Sequence, residues 1–304
     1  MRSALQTYLS QLPNFDYKRY EQTTKFSFPK SIRVNTLKVC REELVERLES
    51  QGWSLEHVPW CADGFFTDRL LMGDTPEHVL GYYFIQDAAS MAITLALDPQ
   101  PGDAVLDISA APGAKTTHIA QLMGMQGAIV ANDTSFDRVK ALAANIQRCG
   151  VANAVITQAD GRAFPRWAAD AFDRVLVDAP CSGLGQIRAF KEIEAKWTER
   201  AVHRLAAVQK GLMLAGFDCL KPGGTLVYST CTLAPDENEA VVQHLLDKRP
   251  TAKIEAIRIE KIKVHEGLTE WHSASFVADI RKCIRIYPYD NGTEGFFVAK
   301  VVKR

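Results

Sequence analysis

From residue 103 onward, short apolar runs alternate with longer amphipathic segments. The apolar runs are rich in Val, Ile, Leu and Ala, which is typical of buried strands. They cover residues 104–108, 128–132, 154–157, 174–177, 225–229, 284–287 and 295–302. Apolar residues recur at helical spacing between several of them, over about 135–148, 198–220 and 235–248. This alternation predicts an α/β fold built on a doubly wound, mostly parallel sheet of seven strands.

The first 80 residues have a different pattern. Residues 31–36 alternate between apolar and polar side chains, which predicts a strand. Residues 41–51 have helical spacing, and residues 53–66 return to short strand-like runs. We therefore expect a small α+β domain over residues 1–80. Residues 81–87 then lead into a predicted helix over 88–97, which belongs to a second domain at 81–304.

Composition narrows the class of protein. Of the 304 residues, 47% are hydrophobic and 24% are charged, as in globular proteins. The chain has no apolar run long enough to span a membrane, and its first residues lack the apolar core of a signal peptide. The seven cysteines are widely spaced, without a Cys-x-x-Cys pair. We therefore expect a reducing cytoplasm and neither a disulfide framework nor a metal site.

Charge is distributed unevenly, although the formal net charge is zero. Residues 1–40 and 251–304 are net basic, so the middle of the chain is acidic. Basic ends would suit a clamp for a polyanion such as RNA, although they are equally compatible with solvated ends. Aromatic residues lie among the N-terminal cations and could either stack on bases or pack in a small domain. They are Tyr8, Phe15, Tyr17, Tyr20, Phe26 and Phe28.

The loop after the first predicted strand of the second domain has small residues and a glycine, followed by a helix start. Such a loop lets a ligand approach backbone N–H groups. A phosphate-binding loop is one alternative, because Lys115 and Thr116 open the helix. That motif requires glycines where this chain has Ser109 and Ala114. The Gly-x-Gly-x-x-Gly dinucleotide motif is also absent from the sequence.

Two acidic residues follow the next two strands. Asp133 ends the second strand, about 20 residues beyond the glycine loop, where an acid can bind a ribose hydroxyl pair. Asp160 follows the third strand. Either acid alone would more often be a helix cap. Together, without a pyrophosphate motif, they indicate a nucleoside ligand such as S-adenosylmethionine.

Two cysteines follow the fourth and fifth strands. The fourth strand ends in Asp178-Ala179-Pro180-Cys181, and the fifth ends in Thr230-Cys231. A lone cysteine at a strand end is usually a small buried hydrophobe. If the two strands are neighbours, however, both thiols and the Asp178 carboxylate face the cleft beside the glycine loop. Packing alone does not explain that combination.

These residues resemble the Fmu/NSUN family of RNA cytosine-C5 methyltransferases nearly from end to end. The motifs that carry the resemblance are residues 33–38, 86–91, 107–117, 178–183, 228–232, 236–239 and 295–299. The resemblance implies a Rossmann-like methyltransferase sheet, an RNA-recognition-like N-terminal domain and S-adenosylmethionine as cofactor. The layout is most similar to archaeal-type tRNA enzymes, so tRNA is the expected substrate, with rRNA as an alternative. We also expect a monomer.

The resemblance also implies roles for individual residues. Asp133 and Arg138 would hold the adenosine of the cofactor, Asp160 would contact its adenine region, and Asp178 would lie between cofactor and target base. A loop would wrap the methionine end of the cofactor. That loop comprises Ser109, Ala110, Ala111, Pro112, Gly113, Ala114 and Lys115. The family more often has Cys at position 109 and Gly or Ser at position 114, but the residues found are equally small.

For the cysteines, the resemblance implies that Cys231 is the nucleophile and that Cys181 assists product release. Lys115 is a candidate contact to the substrate, or alternatively an ordinary solvent-exposed lysine at a helix start. Two other functions are open. A methyltransferase for proteins or small molecules would leave the two cysteines unexplained. A non-catalytic RNA-binding or assembly factor would be expected to have lost the nucleophile or the cofactor loop, and both are intact.

Overall fold

The computed structural model describes residues 3–26 and 28–304. The strands in these ranges form three sheets, of four, nine and two strands. The strands are β1 (Lys30–Val34), β2 (Leu55–His57), β3 (Gly64–Thr67), β4 (Tyr83–Ile85), β5 (Ala104–Asp107), β6 (Ala128–Asp133), β7 (Ala154–Gln158), β8 (Phe172–Asp178), β9 (Leu220–Thr230), β10 (Ala252–Glu255), β11 (His265–Glu266), β12 (Glu270–Trp271), β13 (Ala274–Ser275), β14 (Ile284–Ile286) and β15 (Phe296–Lys303). The helices are α1 (Ser3–Ser10), α2 (Tyr17–Thr23), α3 (Arg41–Ser50), α4 (Pro76–Val79), α5 (Ala88–Leu97), α6 (Ala114–Leu122), α7 (Phe136–Cys149), α8 (Pro165–Ala168), α9 (Lys191–Lys196), α10 (Glu199–Asp218), α11 (Glu239–Lys248) and α12 (Pro288–Asn291).

The N-terminal sheet is antiparallel, in the order β2-β3-β1-β4. Helix α3 packs on it, because its apolar residues Leu44 and Leu48 share one buried cluster with Ile32 and Phe65. The predicted order of strand, helix and strand in a small α+β unit is therefore confirmed. Strand β4 completes this sheet immediately before α5.

The large sheet has the order β11-β14-β15-β9-β8-β5-β6-β7, and β10 pairs with β15. Strands β5 to β9 run parallel to one another, whereas β15 is antiparallel to β9 and β14 is antiparallel to β15. Within the described ranges, seven of the nine strands are those that the sequence predicts. The two short edge strands β10 and β11 were not predicted. The doubly wound α/β class is confirmed.

Helices cover both faces of this sheet and create two cores. Neighbouring residues on a strand point to opposite faces, so Val105 joins one core and Leu106 joins the other. Helices α5, α6 and α7 bury their apolar residues in the first core, while α10 and α11 bury theirs in the second. Because both faces are covered, the open positions for a ligand are at the ends of the strands.

Two of the N-terminal aromatic residues pack against the second domain. Tyr8 in α1 and Tyr20 in α2 are 3% and 2% exposed. The Tyr8 hydroxyl donates to Asp236 (2.9 Å), and the Tyr20 hydroxyl donates to the carbonyl of Leu184 (2.7 Å). For these two rings the structure therefore favours packing over stacking on bases. Helices α1 and α2 were not predicted, although the buried apolar residues of α1 recur at helical spacing.

The predicted helix over 235–248 is interrupted at Asn238. A single 3₁₀ turn covers Pro235–Glu237, and α11 begins at Glu239. The buried Asn238 side chain accepts a hydrogen bond from the Thr230 hydroxyl (2.6 Å) and donates to the carbonyl of Thr232 (3.0 Å). The break therefore attaches this segment to the two residues that flank Cys231.

A buried ion pair joins α11 to β14. The Arg285 guanidinium donates through Nε and Nη2 to the two carboxylate oxygens of Glu239, and through Nη1 to the carbonyl of Leu233 (3.0 Å). The two side chains are 1% and 0% exposed. Removing one partner would leave an uncompensated charge in the interior.

We expect Arg285→Met to lower the free energy of unfolding by about 3–5 kcal/mol, measured by urea denaturation. The double variant Arg285→Met/Glu239→Leu should recover part of that loss, because no unpaired charge remains. Lys140→Met is the control, since Lys140 pairs with Asp137 at the surface. Its effect should stay below about 1 kcal/mol. An equally small effect of Arg285→Met would contradict the prediction.

Within residues 3–26 and 28–304, no helix has the length and apolar character needed to cross a membrane. The same residues contain no group of three or more His, Cys, Asp or Glu side chains placed to share a metal ion.

Candidate active site

Polar side chains from the carboxyl ends of the parallel strands line a cavity of about 830 Å³. The strands are in register there, so Asp178 at the end of β8 lies opposite Ser229 in β9. Most of the predicted site residues line this cavity: Ser109, Ala111, Pro112, Ala114, Lys115, Asp133, Arg138, Asp160, Asp178, Cys181 and Cys231. The structure therefore brings together the strand ends that the sequence singled out.

Two predicted residues, Ala110 and Gly113, are not among those that line the cavity. The Ala110 amide donates to the carbonyl of Asn132, and the Gly113 amide donates to the carbonyl of Ala110 (2.8 Å). Gly113 has a φ of +105°, and a Cβ there would lie 3.1 Å from Cδ1 of Leu142. Glycine thus allows both the turn and the close approach of α7. These two residues therefore fix the conformation of the loop without lining the cavity.

The two predicted thiols are neighbours. The Sγ atoms of Cys181 and Cys231 are 3.1 Å apart, although the residues are separated by 50 positions in sequence. Both side chains are partly buried and border the cavity. The expectation that both thiols face one cleft depended on β8 and β9 being adjacent, and these two strands pair in parallel.

Hydrogen bonds hold the loops that carry the thiols. The Ser182 amide donates to Glu237 Oε1 (2.9 Å), and the Ser182 hydroxyl lies 2.7 Å from the Thr232 hydroxyl. Gln209 of α10 donates to Glu237 Oε1 (2.9 Å) and to the carbonyl of Pro180 (2.8 Å). The residues that follow each cysteine are therefore linked to one another, which keeps the two sulfur atoms close.

The two thiols are not equivalent. The hydrogen bond to Cys231, together with burial, raises the pKa of Cys181 well above its usual value. Cys181 therefore keeps its proton at neutral pH. A protonated Cys181 can donate a hydrogen bond to the sulfur of Cys231.

An ion pair lies beside the thiols. Lys115 in the first turn of α6 places its Nζ 2.6 Å from Oδ2 of Asp178, and the Ser229 hydroxyl donates to Oδ1 of Asp178 (2.7 Å). Burial lowers the pKa of Lys115, but the carboxylates of Asp178 and Asp107 outweigh this, so the pKa is raised. Lys115 is only 12% exposed. It is therefore a largely buried ammonium at the cavity and not a solvent-exposed lysine.

Asp107 lies behind this ion pair. The Thr116 hydroxyl donates to its Oδ2 (2.7 Å), while its buried Oδ1 has no hydrogen-bond partner in the described part of the chain. Burial, with a further contribution from Asp178, raises the pKa of Asp107 from 3.8 to about 7. The folded protein therefore holds this proton more tightly than the unfolded chain does.

Stability should consequently fall as the pH rises between about 4 and 7, because the folded state then binds more protons at Asp107 than the unfolded state. Asp107→Asn removes this dependence. We expect the free energy of unfolding of Asp107→Asn, relative to the wild type, to rise through this pH range and level off above it. The total change is on the order of 4 kcal/mol, at about 1.4 kcal/mol per pKa unit. Asp137→Asn, at an exposed position, is the control. A difference that stays constant from pH 4 to 8 would contradict the prediction.

The predicted acids on the cofactor side differ in their surroundings. Asp133 is 2% exposed; its Oδ1 accepts from the Ser135 amide (3.0 Å), and Oδ2 lies 3.4 Å from the Arg138 guanidinium. That Oδ2 is buried and has no hydrogen-bond partner among the described residues. Asp160 accepts hydrogen bonds from the amide and guanidinium of Arg162, so it caps the 3₁₀ turn at Gly161–Ala163. A helix cap was the alternative role that the sequence analysis left open for this acid.

This donor and acceptor set fits S-adenosylmethionine. A buried carboxylate oxygen without a partner suits a ribose hydroxyl, since a ligand O–H can complete its hydrogen bonding. Five of the seven residues over 109–115 line the cavity, and the sequence has no pyrophosphate-binding motif. A cavity of about 830 Å³ is large enough for a ligand of this size and a nucleobase to approach each other.

The N-terminal domain reaches this site through Arg33. Its guanidinium, fully buried, donates to the carbonyl of Ala114 (2.8 Å), the Thr117 hydroxyl (2.8 Å) and Gln121 (3.2 Å). These three partners belong to α6, which follows the cofactor loop directly. Arg33 thus ties the N-terminal sheet to the start of the helix that carries Lys115.

The sequence did not assign a role to two acids that also line the cavity. Asp87 caps α5 by accepting from the Ala89 and Ser90 amides, and its other oxygen accepts from the Glu294 amide (3.1 Å). Burial and the nearby Asp87 raise the pKa of Glu294 to about 7. Both acids fall in or beside motifs that carried the family resemblance. Only the fold shows that they meet.

Comparisons with known proteins agree with this geometry. The family model of 16S rRNA methyltransferase RsmB/F matches residues 94–302, and the model for the N-terminal domain of 16S rRNA methyltransferase RsmF matches residues 3–88. The chain is 45% identical over 280 residues to ribosomal RNA small subunit methyltransferase F of Vibrio parahaemolyticus, covering 90% of this chain. It spans only 57% of that relative's length.

An archaeal relative is covered more completely. The tRNA (cytosine(49)-C(5))-methyltransferase of Pyrococcus abyssi is 44% identical over 276 residues, which are 90% of this chain and 88% of that protein. Among solved structures, a methyltransferase homolog protein from Pyrococcus horikoshii has a TM-score of 0.88 at 34% identity. That match covers 100% of this chain and 96% of the other.

Proposed function

The chain belongs to the 16S rRNA methyltransferase RsmB/F family, a family of S-adenosylmethionine-dependent RNA methyltransferases, and on that premise we propose that it methylates C5 of a cytosine in RNA. The observation that carries this proposal is the pair of thiols 3.1 Å apart, next to the Lys115–Asp178 ion pair. Methylation of C5 has two steps in which thiols could act, because the base must first be activated by a nucleophile and then be released from it.

Cys231 is the proposed nucleophile. C5 of cytosine reacts poorly with a methyl sulfonium, so the ring has to be made electron-rich. The Cys231 thiolate adds to C6, a C–S bond forms, and the ring electrons shift to make an enamine with a nucleophilic C5. Cys181, which keeps its proton, donates a hydrogen bond to the Cys231 sulfur before this addition.

The Lys115–Asp178 pair is proposed to hold the base. The Asp178 carboxylate accepts a hydrogen bond from the exocyclic amine of cytosine. The Lys115 ammonium lies within 2.6 Å of that carboxylate and can donate to the ring edge where negative charge grows as the thiolate adds. Because both groups are already fixed by Ser229 and by each other, they need little reorganisation during the reaction.

Residues 109–115, Asp133, Arg138 and Asp160 are proposed to hold the cofactor. When bound, S-adenosylmethionine supplies the activated methyl group that C5 accepts. A base then removes the C5 proton, the C5–H electron pair restores the C5–C6 double bond, and the C6–S bond breaks with its electrons returning to Cys231. We propose that Cys181 assists this release by giving its proton to the departing sulfur.

Two RNA classes are candidates for the substrate. Transfer RNA is favoured by the match to the Pyrococcus abyssi protein, 88% of whose length is covered. Small-subunit ribosomal RNA is supported by the RsmB/F family description and by the Vibrio parahaemolyticus relative. The target cytosine must in either case be unpaired or flipped out to reach the cavity.

The test is methyl transfer from labelled S-adenosylmethionine to separate pools of tRNA and small-subunit rRNA, followed by mapping of 5-methylcytosine. Label in 5-methylcytosine of the tRNA pool is the expected result. Label only in the rRNA pool would support the proposed reaction and would identify rRNA, not tRNA, as the substrate. Absence of transfer to any RNA would overturn the function and favour a non-catalytic RNA-binding factor. Transfer to protein or small molecules would indicate the other methyltransferase class.

A further inference from the structure

A second concave surface opens beside the active-site cavity, and we call it the flanking groove. It has a volume of about 730 Å³ and is formed by three segments: residues 24–26 with 28–31, residues 70–74, and residues 188–191. Five residues line both the groove and the active-site cavity: Ile85, Gln86, Asp87, Phe190 and Glu294. The two cavities therefore adjoin each other along these residues.

The flanking groove exposes large apolar side chains. Phe26, Leu70 and Leu71 are 70%, 73% and 69% exposed, and Phe190 is 47% exposed. Single exposed apolar residues are common, but several that line one groove mark a binding surface. The N-terminal aromatics therefore divide into two groups, because Tyr8 and Tyr20 pack in the interior while Phe26 faces this groove.

Cations accompany these apolar side chains. Lys25, Lys30, Arg188 and Lys191 line the groove. Within residues 3–26 and 28–304, none of the four forms a close ion pair with a carboxylate. Burial lowers the pKa of Arg188, while the charges of Asp87 and Glu294 act in the opposite direction. The Arg188 guanidinium lies 3.8 Å from the centroid of the Phe28 ring, so its charge is held beside an aromatic face.

Acidic residues in the groove offset these cations only in part. Asp74, Asp87 and Glu294 line it. Asp87 is occupied by backbone amides, and Glu294 is buried beside it, where its pKa is raised to about 7. Positive charge is therefore available at the rim, together with stacking surfaces.

This combination fits single-stranded RNA. Unpaired bases stack on aromatic and guanidinium planes while lysines pair with the phosphates, whereas a duplex hides its base faces. A target base in the active-site cavity also has to leave its stack, so its neighbours must lie near the mouth of that cavity. We propose that the flanking groove binds the unpaired nucleotides next to the target cytosine. This inference rests on the proposed function, since it requires an RNA substrate.

The test measures the Kd of a fluorescently labelled single-stranded RNA 12-mer with one central cytosine, by anisotropy, on the full chain. Phe26→Ala and Arg188→Ala should each raise this Kd about tenfold, because each removes a stacking surface. Arg188→Ala should also reduce the slope of log Kd against log salt concentration by about one. Trp167→Ala and Lys253→Ala are matched controls; Trp167 is 66% exposed and lies outside both cavities. Their Kd should match the wild type.

Two outcomes would overturn the groove proposal. One is a Kd within twofold of the wild type for both groove variants, while the wild type still methylates RNA. The proposed function would then stand, and a protein partner would become the alternative occupant of the groove. The other is equal weakening by the control variants. Failure of the wild type to methylate any RNA would instead overturn the proposed function. Thermal melting and S-adenosylmethionine affinity, both expected to be unchanged in Phe26→Ala and Arg188→Ala, show that the variants are folded.

Discussion

Replacing Cys231 with alanine is expected to abolish methyl transfer to RNA, with a loss of at least about a thousandfold in rate. Without the thiol, no bond forms at C6 and C5 stays a poor nucleophile. The neighbouring Cys181 is not expected to substitute, because burial still raises the pKa of its thiol after the hydrogen bond to Cys231 is lost. The measurement is transfer of label from S-adenosylmethionine to RNA under single-turnover conditions.

Two controls accompany this variant. Cys40→Ala removes an exposed thiol at the start of α3, outside the active-site cavity, and should keep wild-type activity. The affinity of Cys231→Ala for S-adenosylmethionine should also be unchanged, which separates loss of chemistry from loss of the cofactor site. Substantial methylation by Cys231→Ala would show that Cys231 is not the nucleophile.

Replacing Cys181 with alanine should have a different effect, which is accumulation of a covalent protein–RNA adduct. In the proposed mechanism, Cys231 still attacks C6 and the methyl group is still transferred, but the release step lacks its proton donor. Among the described residues, Cys181 and Cys231 are the two cysteines that line the active-site cavity, so no other thiol is placed to replace Cys181. The adduct is measured as a shifted band on a denaturing gel with labelled RNA.

The double variant Cys181→Ala/Cys231→Ala is the matched control and should form no adduct. The wild type should show little, since release follows transfer. If Cys231→Ala alone traps RNA while Cys181→Ala does not, the roles of the two cysteines are reversed.

Most of the fold was predictable from periodicity. Helix α5 has the bounds that the apolar spacing predicts, and the seven main strands occur where the sequence places them. The sequence left open whether β8 and β9 are neighbours; in the structure they pair in parallel, which brings Cys181 to Cys231. Local patterns succeed in these cases because the elements bury one face or both faces against a large core.

Elements that depend on particular side-chain contacts were missed. The interruption before α11 comes from the hydrogen bonds of Asn238 to the segment around Cys231, and no periodicity indicates them. The short strands β10 and β11 exist because they pair with β15 and β14, which are distant in sequence. Tertiary context overrides local preference at these positions.

The candidate site shows the same division. Strand ends are visible in the sequence, so Asp133, Asp160, Asp178 and the two cysteines could be singled out. The Lys115–Asp178 ion pair could not, because nothing in the spacing distinguishes it from a surface lysine and a separate acid. The meeting of Asp87 with Glu294 likewise joins residues 207 positions apart.

The central claim is that a cysteine at the end of β9 bonds to the cytosine that is methylated. The most direct test is mass spectrometry of the adduct formed by Cys181→Ala, after digestion with protease and nuclease. The account predicts a methylated cytidine nucleotide attached to the peptide that contains Cys231. Attachment to any other residue, or a cytidine without the added methyl group after incubation with S-adenosylmethionine, would contradict it.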